Sequence, residues 1–280
     1  MSNIRVLCLH GMGANAQIFR QQTAAFRSLL PPTYQFTFLD GIEACTPPAD
    51  LAGFHSGPYL CWYRSPTVSK VARAQDHILS FIKNNGPFDV VMGFSQGASL
   101  AASLIIHDQI ENPGQPSLFK AAIFLCAPLP FSRCLTQGID TRKSFGLALL
   151  DVVDGRPTEI PTHLIPKDAY FLQADEQADC SEEFCKLHAS CSISKPNISS
   201  GVYYQMFHST VDGVKINIPT THVYGRSDPW KPHSMDLIDL CSREKALIYQ
   251  HDGGHEIPRD EGEGICDIIE STVIRSLISV

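Results

Sequence analysis

The sequence predicts an α/β fold built on a doubly wound, mostly parallel β-sheet, and three observations predict it. Short apolar runs bounded by turn residues alternate with longer segments of helical periodicity along the 280 residues. The apolar runs are continuously hydrophobic, which is typical of strands covered by helices on both faces. One of them runs into a Gly-x-Ser-x-Gly motif, residues 93–97, that opens a helix of small residues.

The apolar runs predict six strands, in the order in which the chain meets them. They span residues 5–9, 35–39, 89–93, 121–126, 220–224 and 246–250. Apolar residues at helical spacing predict helices over 16–30, 69–85 and 98–107, and a closing helix over about 261–278. The sequence Asn84-Asn85-Gly86 indicates where the second of these helices ends.

Residues 131–217 interrupt this alternation. They show short helical and irregular patterns, with prolines at positions 157, 161, 166 and 196. Structureless loops longer than about 15 residues are uncommon inside compact domains. We therefore expect one α/β domain over 1–280, with 131–217 inserted as a cap or lid between the fourth and fifth strands.

Composition excludes several classes of function. The formal net charge of −7, with no Lys/Arg cluster, is evidence against a nucleic-acid partner. No apolar run approaches the roughly 18 residues of a membrane span. The first residues, MSNIRVLCLHG, lack the pattern of a signal peptide, so a cytoplasmic chain with no membrane partner is expected.

Ten cysteines fit reduced thiols better than a disulfide scaffold, because several lie in apolar strand-like or helix-like runs. The stretch CSEEFCKLHASC differs, since it places four potential zinc ligands within twelve residues: Cys180, Cys185, His188 and Cys191. Their spacing matches no familiar zinc motif. Reduced thiols in a helical segment are the preferred interpretation, and a structural metal is the alternative.

The stretch VVMGFSQGAS, residues 90–99, places Ser95 between two glycines where a strand meets a helix. One interpretation is a tight turn, because Gly-x-Ser-x-Gly arises by chance. The other is a nucleophile elbow, in which a strained turn presents the Ser95 hydroxyl above the sheet. An elbow also requires an acid after a later strand, a histidine after the last strand and a backbone donor after the first.

All three are present. Asp228 follows the fifth strand, and His255 follows the last strand and a Gly-Gly turn. The segment HGMG, residues 10–13, follows the first strand. The order Ser95, Asp228, His255 is that of α/β-hydrolases, which makes a chance match to the motif a poor explanation.

These residue types fit acyl transfer. His255 would take the Ser95 proton and return it to the leaving group, and Asp228 would orient the imidazole. The backbone N–H groups of Met12 and Gln96 would face the oxyanion, where one donor is typically worth about 10²–10³ in rate. This chemistry requires neither a cofactor nor a metal.

Five other polar residues lie near the same strand ends, and each has a structural interpretation. His10 is expected to shape the turn after the first strand, because it precedes rather than follows the last strands. His222 alternates inside a strand, and Asp40 is expected to form a turn. His251 and Asp252 lie where the last strand ends.

Two aromatic residues are candidates for contact with substrate. Trp62, in YLCWYR, either lines an acyl pocket or belongs to the core, and the sequence favours neither. Phe94, directly before the candidate nucleophile, is the second candidate.

Four stretches together resemble the eukaryotic family of serine hydrolases, a branch of the α/β-hydrolase fold: RVLCLHGMGANAQIFRQQ, GFSQGASLAA, THVYGRSDPW and GGHEIPR. The resemblance covers most of the chain and is weakest over 131–217. It implies Ser95 as nucleophile, Asp228 as acid and His255 as base, with Met12 and Gln96 at the oxyanion positions.

The form GMGANAQIF and the long insertion are most similar to fungal thioesterases that release polyketides. This implies an acyl substrate presented by an acyl carrier protein of a polyketide synthase. Alternatives remain, because fold and triad do not name a substrate. They are a carboxylesterase for small or medium oxyesters, a triad-based acyltransferase, and a ligand-binding module without turnover.

Overall fold

A computed structural model describes residues 3–47, 53, 55–145, 155–164 and 204–278. These residues contain ten strands: β1 Ile4–Leu9, β2 Tyr34–Leu39, β3 Glu43–Ala44, β4 Leu60–Cys61, β5 Val90–Phe94, β6 Ala121–Leu125, β7 Ile139–Asp140, β8 Gln205–Met206, β9 Thr220–Gly225 and β10 Ala246–His251. They also contain six α-helices: α1 Ala16–Gln22, α2 Ala24–Arg27, α3 Val68–Asn85, α4 Gln96–Glu111, α5 Lys231–Asp239 and α6 Gly262–Ile278.

Six of the strands form one parallel sheet in the order β10-β9-β6-β5-β1-β2. These are the six strands that the apolar runs predict, and their ends agree to within one residue. Both faces of the sheet are covered, as the continuous hydrophobicity indicates. Leu7 and Leu9 of β1 belong to the core on one face, whereas Val6 and Cys8 belong to the core on the other.

The predicted helix over 16–30 is wrong as a single element, because the chain divides it at Thr23 into α1 and α2. The Thr23 hydroxyl and the Thr23 N–H both donate to the carbonyl of Phe19, at 2.8 and 3.1 Å. Such back-bonding by threonine competes with the regular helical ladder. Helix α5 is a further difference, since its short, largely polar sequence gave no clear helical pattern.

The described parts of the inserted segment meet where it leaves and rejoins the sheet. Ser132 N–H donates to Gln205 O at 2.6 Å, and Phe207 N–H donates to Pro130 O at 2.8 Å. Strands β7 and β8 pair antiparallel just beyond these bonds. The candidate ligands of CSEEFCKLHASC lie outside the described residues, and the assignment of 131–217 as a lid stays a prediction.

Within the described ranges, no helix combines the length and the apolar character that crossing a bilayer requires.

The sheet determines the position of the candidate site, because the carboxyl ends of its parallel strands all lie along one edge.

Candidate active site

Ser95 lies in the turn between β5 and α4 with φ 50° and ψ −119°. Positive φ is uncommon for a residue with a side chain, and it persists only where the surroundings enforce it. Here Ser95 N–H donates to Leu125 O at 2.9 Å, and Ser95 O accepts from Ala98 N and Ser99 N, each at 3.0 Å. These bonds hold the strained turn at the carboxyl edge of the sheet.

The two glycines that flank Ser95 allow α4 to lie directly against the sheet. A Cβ atom on Gly97 would lie 2.2 Å from Leu9 O, and one on Gly93 would lie 2.4 Å from Ala98 N. Both contacts are with backbone, which cannot rotate away. The motif therefore needs glycine at both positions for the close approach of helix and strand.

A continuous hydrogen-bond chain joins the three residues that the motif order predicts. His255 Nε2 lies 2.8 Å from Ser95 Oγ, and His255 Nδ1 lies 2.9 Å from Asp228 Oδ2. Trp230 N–H donates to Asp228 Oδ1 at 2.7 Å. An ionised carboxylate only accepts, so Nδ1 carries the proton and Nε2 is the acceptor for the serine hydroxyl.

Asp228 is 4% exposed, whereas the His255 side chain retains 26% of its surface. The loops that carry them are bonded to each other, because Arg226 N–H donates to His251 O at 2.7 Å and Ser227 N–H to Gly253 O at 3.0 Å. The adjacent strands β9 and β10 thus fix the acid and the base as one unit.

The two predicted oxyanion residues lie in the turn after β1 and at the start of α4. Met12 occupies a turn after β1 that is closed by Ala14 N–H donating to Gly11 O at 3.3 Å, and Gln96 is the first residue of α4. Within the described ranges, neither backbone N–H has a hydrogen-bond acceptor. First-turn amides of a helix lack intrahelical partners and attract negative charge.

Residues 59–63, which we call the oxyanion brace, contact both of these segments. Gly13 N–H donates to Leu60 O at 2.9 Å, next to Met12. The Gln96 side chain accepts from Trp62 N–H at 3.0 Å and donates to Tyr63 O at 2.7 Å. The brace therefore sets the position of Met12 relative to Gln96.

Cys126 is a site residue that sequence reasoning missed. It directly follows β6 with φ 48°, and its Sγ donates to Glu256 O at 3.4 Å, beside His255. Burial, followed by the Asp228 charge, raises the pKa of the Cys126 thiol. The ligand atoms of Cys126, Asp228 and His255 lie within 4.8 Å of one another, and these are residue types that zinc accepts.

In the sequence, Cys126 closes the apolar run 121–126, where a free thiol is expected to behave as a small apolar residue. Its position immediately after a strand, at the edge where Ser95 also lies, was the signal that could have found it.

The competing polar residues have structural partners. His10 is buried and stacks on Trp62 at 5.2 Å between ring centroids, while Gly41 N–H donates to His10 Nε2 at 2.8 Å. Burial lowers the pKa of His10 and lowers that of His222 to about 3. Both rings are therefore neutral parts of the interior.

The remaining three also contact other groups. Asp40 Oδ1 accepts from Ala16 N–H at 2.7 Å at the start of α1, and His251 Nδ1 accepts from Gly253 N–H at 3.2 Å. Asp252 pairs with Arg226 at 3.0 Å on the surface. None of these three joins the Ser95–His255–Asp228 chain.

The two aromatic candidates differ in position. Trp62 is 0% exposed in the core, and its indole N–H donates to His10 O at 2.8 Å. The pocket interpretation of Trp62 is therefore replaced by the core interpretation, because no surface of the ring is available to a ligand. Phe94 is half-buried, with its ring 5.3 Å from the ring of His255.

A strained serine turn between a parallel strand and a helix, bonded to a histidine and an aspartate from later strands, defines an α/β-hydrolase. The comparison with known families gives the particular one. The family model described as serine hydrolase (FSH1) matches residues 1–263, and the chain belongs to that family. The resemblance drawn from its motifs is confirmed, and the protein is a hydrolase enzyme.

Similar proteins occur in filamentous fungi. The esterase alnB of Emericella nidulans is 29% identical over 265 residues, which is 91% of this chain and 90% of that protein. The esterase FPY3 of Fusarium mangiferae is 27% identical over 282 residues, covering 98% and 99% of the two chains. A carboxylesterase from Mesorhizobium loti, 14% identical, shares the fold with a TM-score of 0.50 over 96% of this chain and 90% of that chain.

The contact of Gly97 with β1 predicts that Gly97→Ala is destabilising. The added Cβ would meet Leu9 O at 2.2 Å and would push α4 and Ser95 away from the sheet. We expect a loss of at least about 2 kcal/mol in the free energy of unfolding, measured in urea. Gly213→Ala is the matched control, since its Cβ would meet nothing within 4 Å. Equal stability of the two variants would contradict this account of the turn.

The oxyanion brace predicts the effect of Gln96→Ala. The change leaves Trp62 N–H and Tyr63 O without their partners, at a cost of about 1–3 kcal/mol for each buried group. Hydrogen exchange of the Trp62 amide should accelerate, and the free energy of unfolding should fall. The exposed Gln115→Ala serves as control. Unchanged protection of the Trp62 amide in Gln96→Ala would show that the side chain does not hold the brace.

Proposed function

We propose that this hydrolase cleaves acyl thioesters through an acyl-enzyme on Ser95, releasing a polyketide or fatty acyl chain from a carrier protein. The observation that supports the catalytic assignment is the hydrogen-bond chain from Ser95 Oγ through His255 to Asp228. It leaves His255 Nε2 ready to accept the serine proton. A non-catalytic ligand-binding module would not need this arrangement.

In the proposed reaction, Ser95 Oγ attacks the acyl carbon while His255 Nε2 takes its proton. The carbonyl oxygen becomes an oxyanion that accepts from the backbone N–H groups of Met12 and Gln96. The intermediate collapses, the bond to sulfur breaks, and His255 returns the proton to the departing thiolate. Water repeats the sequence on the acyl-enzyme and releases the carboxylic acid and free Ser95. Asp228 holds the ring orientation and stabilises the imidazolium at each stage.

Two observations support a long acyl substrate. The motifs and the long insertion resemble fungal thioesterases that release polyketides. The insertion also follows β6, whose carboxyl end lies at the same edge as Ser95, and this supports the proposal that residues 131–217 cover an acyl chain. Phe94, whose ring packs 5.3 Å from that of His255, is the proposed aromatic contact beside the reacting carbon.

A carboxylesterase acting on small or medium oxyesters is the second candidate. It is favoured by the relatives in Emericella nidulans and Fusarium mangiferae, both of which are named esterases. The same triad serves both reactions, and the choice between them depends on the leaving group and the acyl pocket. A triad-based acyltransferase differs only in using an alcohol in place of water at the second step.

The nucleophile assignment predicts that Ser95→Ala loses about 10⁴–10⁶-fold in kcat, as in other triads. The protein should remain folded, because among the described residues the hydroxyl hydrogen-bonds to the partly exposed His255 ring alone. A fluorophosphonate should label the wild type and not Ser95→Ala. The exposed Ser28→Ala is the control, and labelling or full turnover in Ser95→Ala would refute the assignment.

Asp228→Asn should also lose most of its kcat, because the wrong imidazole tautomer is favoured.

The substrate proposal predicts a preference for thioesters that increases with acyl length. The measurement is kcat/KM on paired thioesters and oxyesters of the same acyl group, from two carbons upward, with Ser95→Ala as blank. A flat profile that favours short oxyesters would replace the thioesterase proposal with the carboxylesterase. Transfer of the acyl group to an added alcohol in preference to water would identify an acyltransferase.

A further inference from the structure

Two cysteines outside the proposed catalytic residues lie together beside the oxyanion brace. Strands β3 and β4 pair antiparallel, with Glu43 opposite Cys61 and Ala44 opposite Leu60. Cys45 follows β3 directly, and its N–H donates to Tyr59 O at 3.0 Å. Successive side chains of a strand point to opposite faces, so Cys45 and Cys61 are diagonal neighbours on one face of the ribbon.

The two thiols affect each other's pKa and differ in exposure. Cys61 is 0% exposed, whereas Cys45 is half-buried. A reagent from solvent therefore meets Cys45 first, and Cys61 lies within reach behind it.

The neighbouring thiol and nearby groups favour the thiolate on Cys45. The interaction with Cys61 lowers the pKa of Cys45 below that of an ordinary thiol, with further lowering by the Gly13 backbone and by Arg64. Partial burial and the Glu43 carboxylate oppose these effects. The same interaction raises the pKa of Cys61, and the burial of Cys61 raises it further. A low-pKa, accessible cysteine next to a resolving cysteine is the arrangement of redox-sensitive thiol pairs.

We propose that Cys45 and Cys61 are a redox modification site, which a peroxide converts to an intramolecular disulfide that slows the enzyme. The Cys45 thiolate attacks one peroxide oxygen, the O–O bond breaks, and hydroxide leaves and takes up a proton. Cys45 is then a sulfenic acid. The Cys61 sulfur loses its proton and attacks the Cys45 sulfur, and the S–O bond breaks with release of water. The two thiols are oxidised and the peroxide is reduced to two waters.

The disulfide would slow turnover by moving the oxyanion brace, and this effect rests on the proposed function. A disulfide brings its two Cβ atoms to about 3.8 Å, closer than diagonal neighbours of a ribbon usually lie. Oxidation therefore pulls Cys61 toward Cys45. Leu60 and Trp62 flank Cys61, and they bond to Gly13 and to the Gln96 side chain. Both proposed oxyanion amides are thereby displaced.

The modification is tested on the whole chain without any substrate. The reduced protein is treated with hydrogen peroxide, the remaining thiols are alkylated, and peptides are mapped by mass spectrometry without reduction. The expected result is a peptide pair joined through Cys45 and Cys61. Oxidation in which both residues still alkylate, or in which Cys45 pairs with another cysteine, would overturn the proposal.

The effect on turnover is the ratio of kcat before and after peroxide, measured within each variant on one chromogenic ester. We expect the wild type to lose about 10-fold, less than complete removal of an oxyanion donor costs, and to recover with dithiothreitol. Recovery excludes oxidation of Met12, because a thiol reductant does not act as the sulfoxide reductases do. Cys45→Ser should show a ratio near one, whereas Cys134→Ser, another half-buried free cysteine, should behave as wild type.

The peptide map and the kcat ratio test different parts of the proposal, and each can fail without the other. A chain that turns over neither the ester nor a thioester of the same acyl group, in either state, refutes the proposed function, while the peptide map still decides the disulfide. A Cys45–Cys61 disulfide that leaves kcat unchanged refutes the link through the brace. An equal loss of kcat in Cys45→Ser places the sensitive group elsewhere.

Discussion

The backbone of Ser95 is held at positive φ by its neighbours, and the geometry of the whole site depends on this one turn. A residue with a side chain adopts that conformation only where surrounding contacts enforce it. The contacts here are bonds from β6 and the first turn of α4, together with the close packing of α4 against β1 and β5 that Gly93 and Gly97 allow. The same packing brings the first helical amide, that of Gln96, next to the serine hydroxyl. The proposed nucleophile and one proposed oxyanion donor thus have a common structural cause.

The acid and the base have a different origin. Asp228 and His255 follow the adjacent strands β9 and β10, and their loops are bonded to each other before either side chain reaches the serine. These loops lie at the same edge as the serine turn because all of them follow the carboxyl ends of parallel strands. Asp228 is deeply buried, so it is a fixed hydrogen-bond acceptor behind the His255 ring, which is partly exposed to solvent.

The sequence predicts most of the sheet because strands buried on both faces need continuous apolar runs. The order of Ser95, Asp228 and His255 is also readable, since each follows a predicted strand. The division of the first helix at Thr23 could not be predicted, because it depends on a hydrogen bond from the Thr23 hydroxyl to the Phe19 carbonyl. The oxyanion brace was hidden for a related reason. It acts through backbone groups of Leu60, Trp62 and Tyr63, and backbone contacts leave no residue pattern.

The two halves of the site therefore differ in how firmly the fold holds them. Asp228 and His255 rest on strands of six residues each, paired along their full length. The Met12 turn and the Gln96 side chain rest instead on a ribbon whose strands have two residues each. A short ribbon has few bonds to resist a local pull, so a covalent change there can move the oxyanion donors while the Ser95–His255–Asp228 chain stays in place. The proposed regulation is therefore physically easier at the predicted oxyanion side than at the Ser95–His255–Asp228 chain, and Cys45 and Cys61 lie on the oxyanion side.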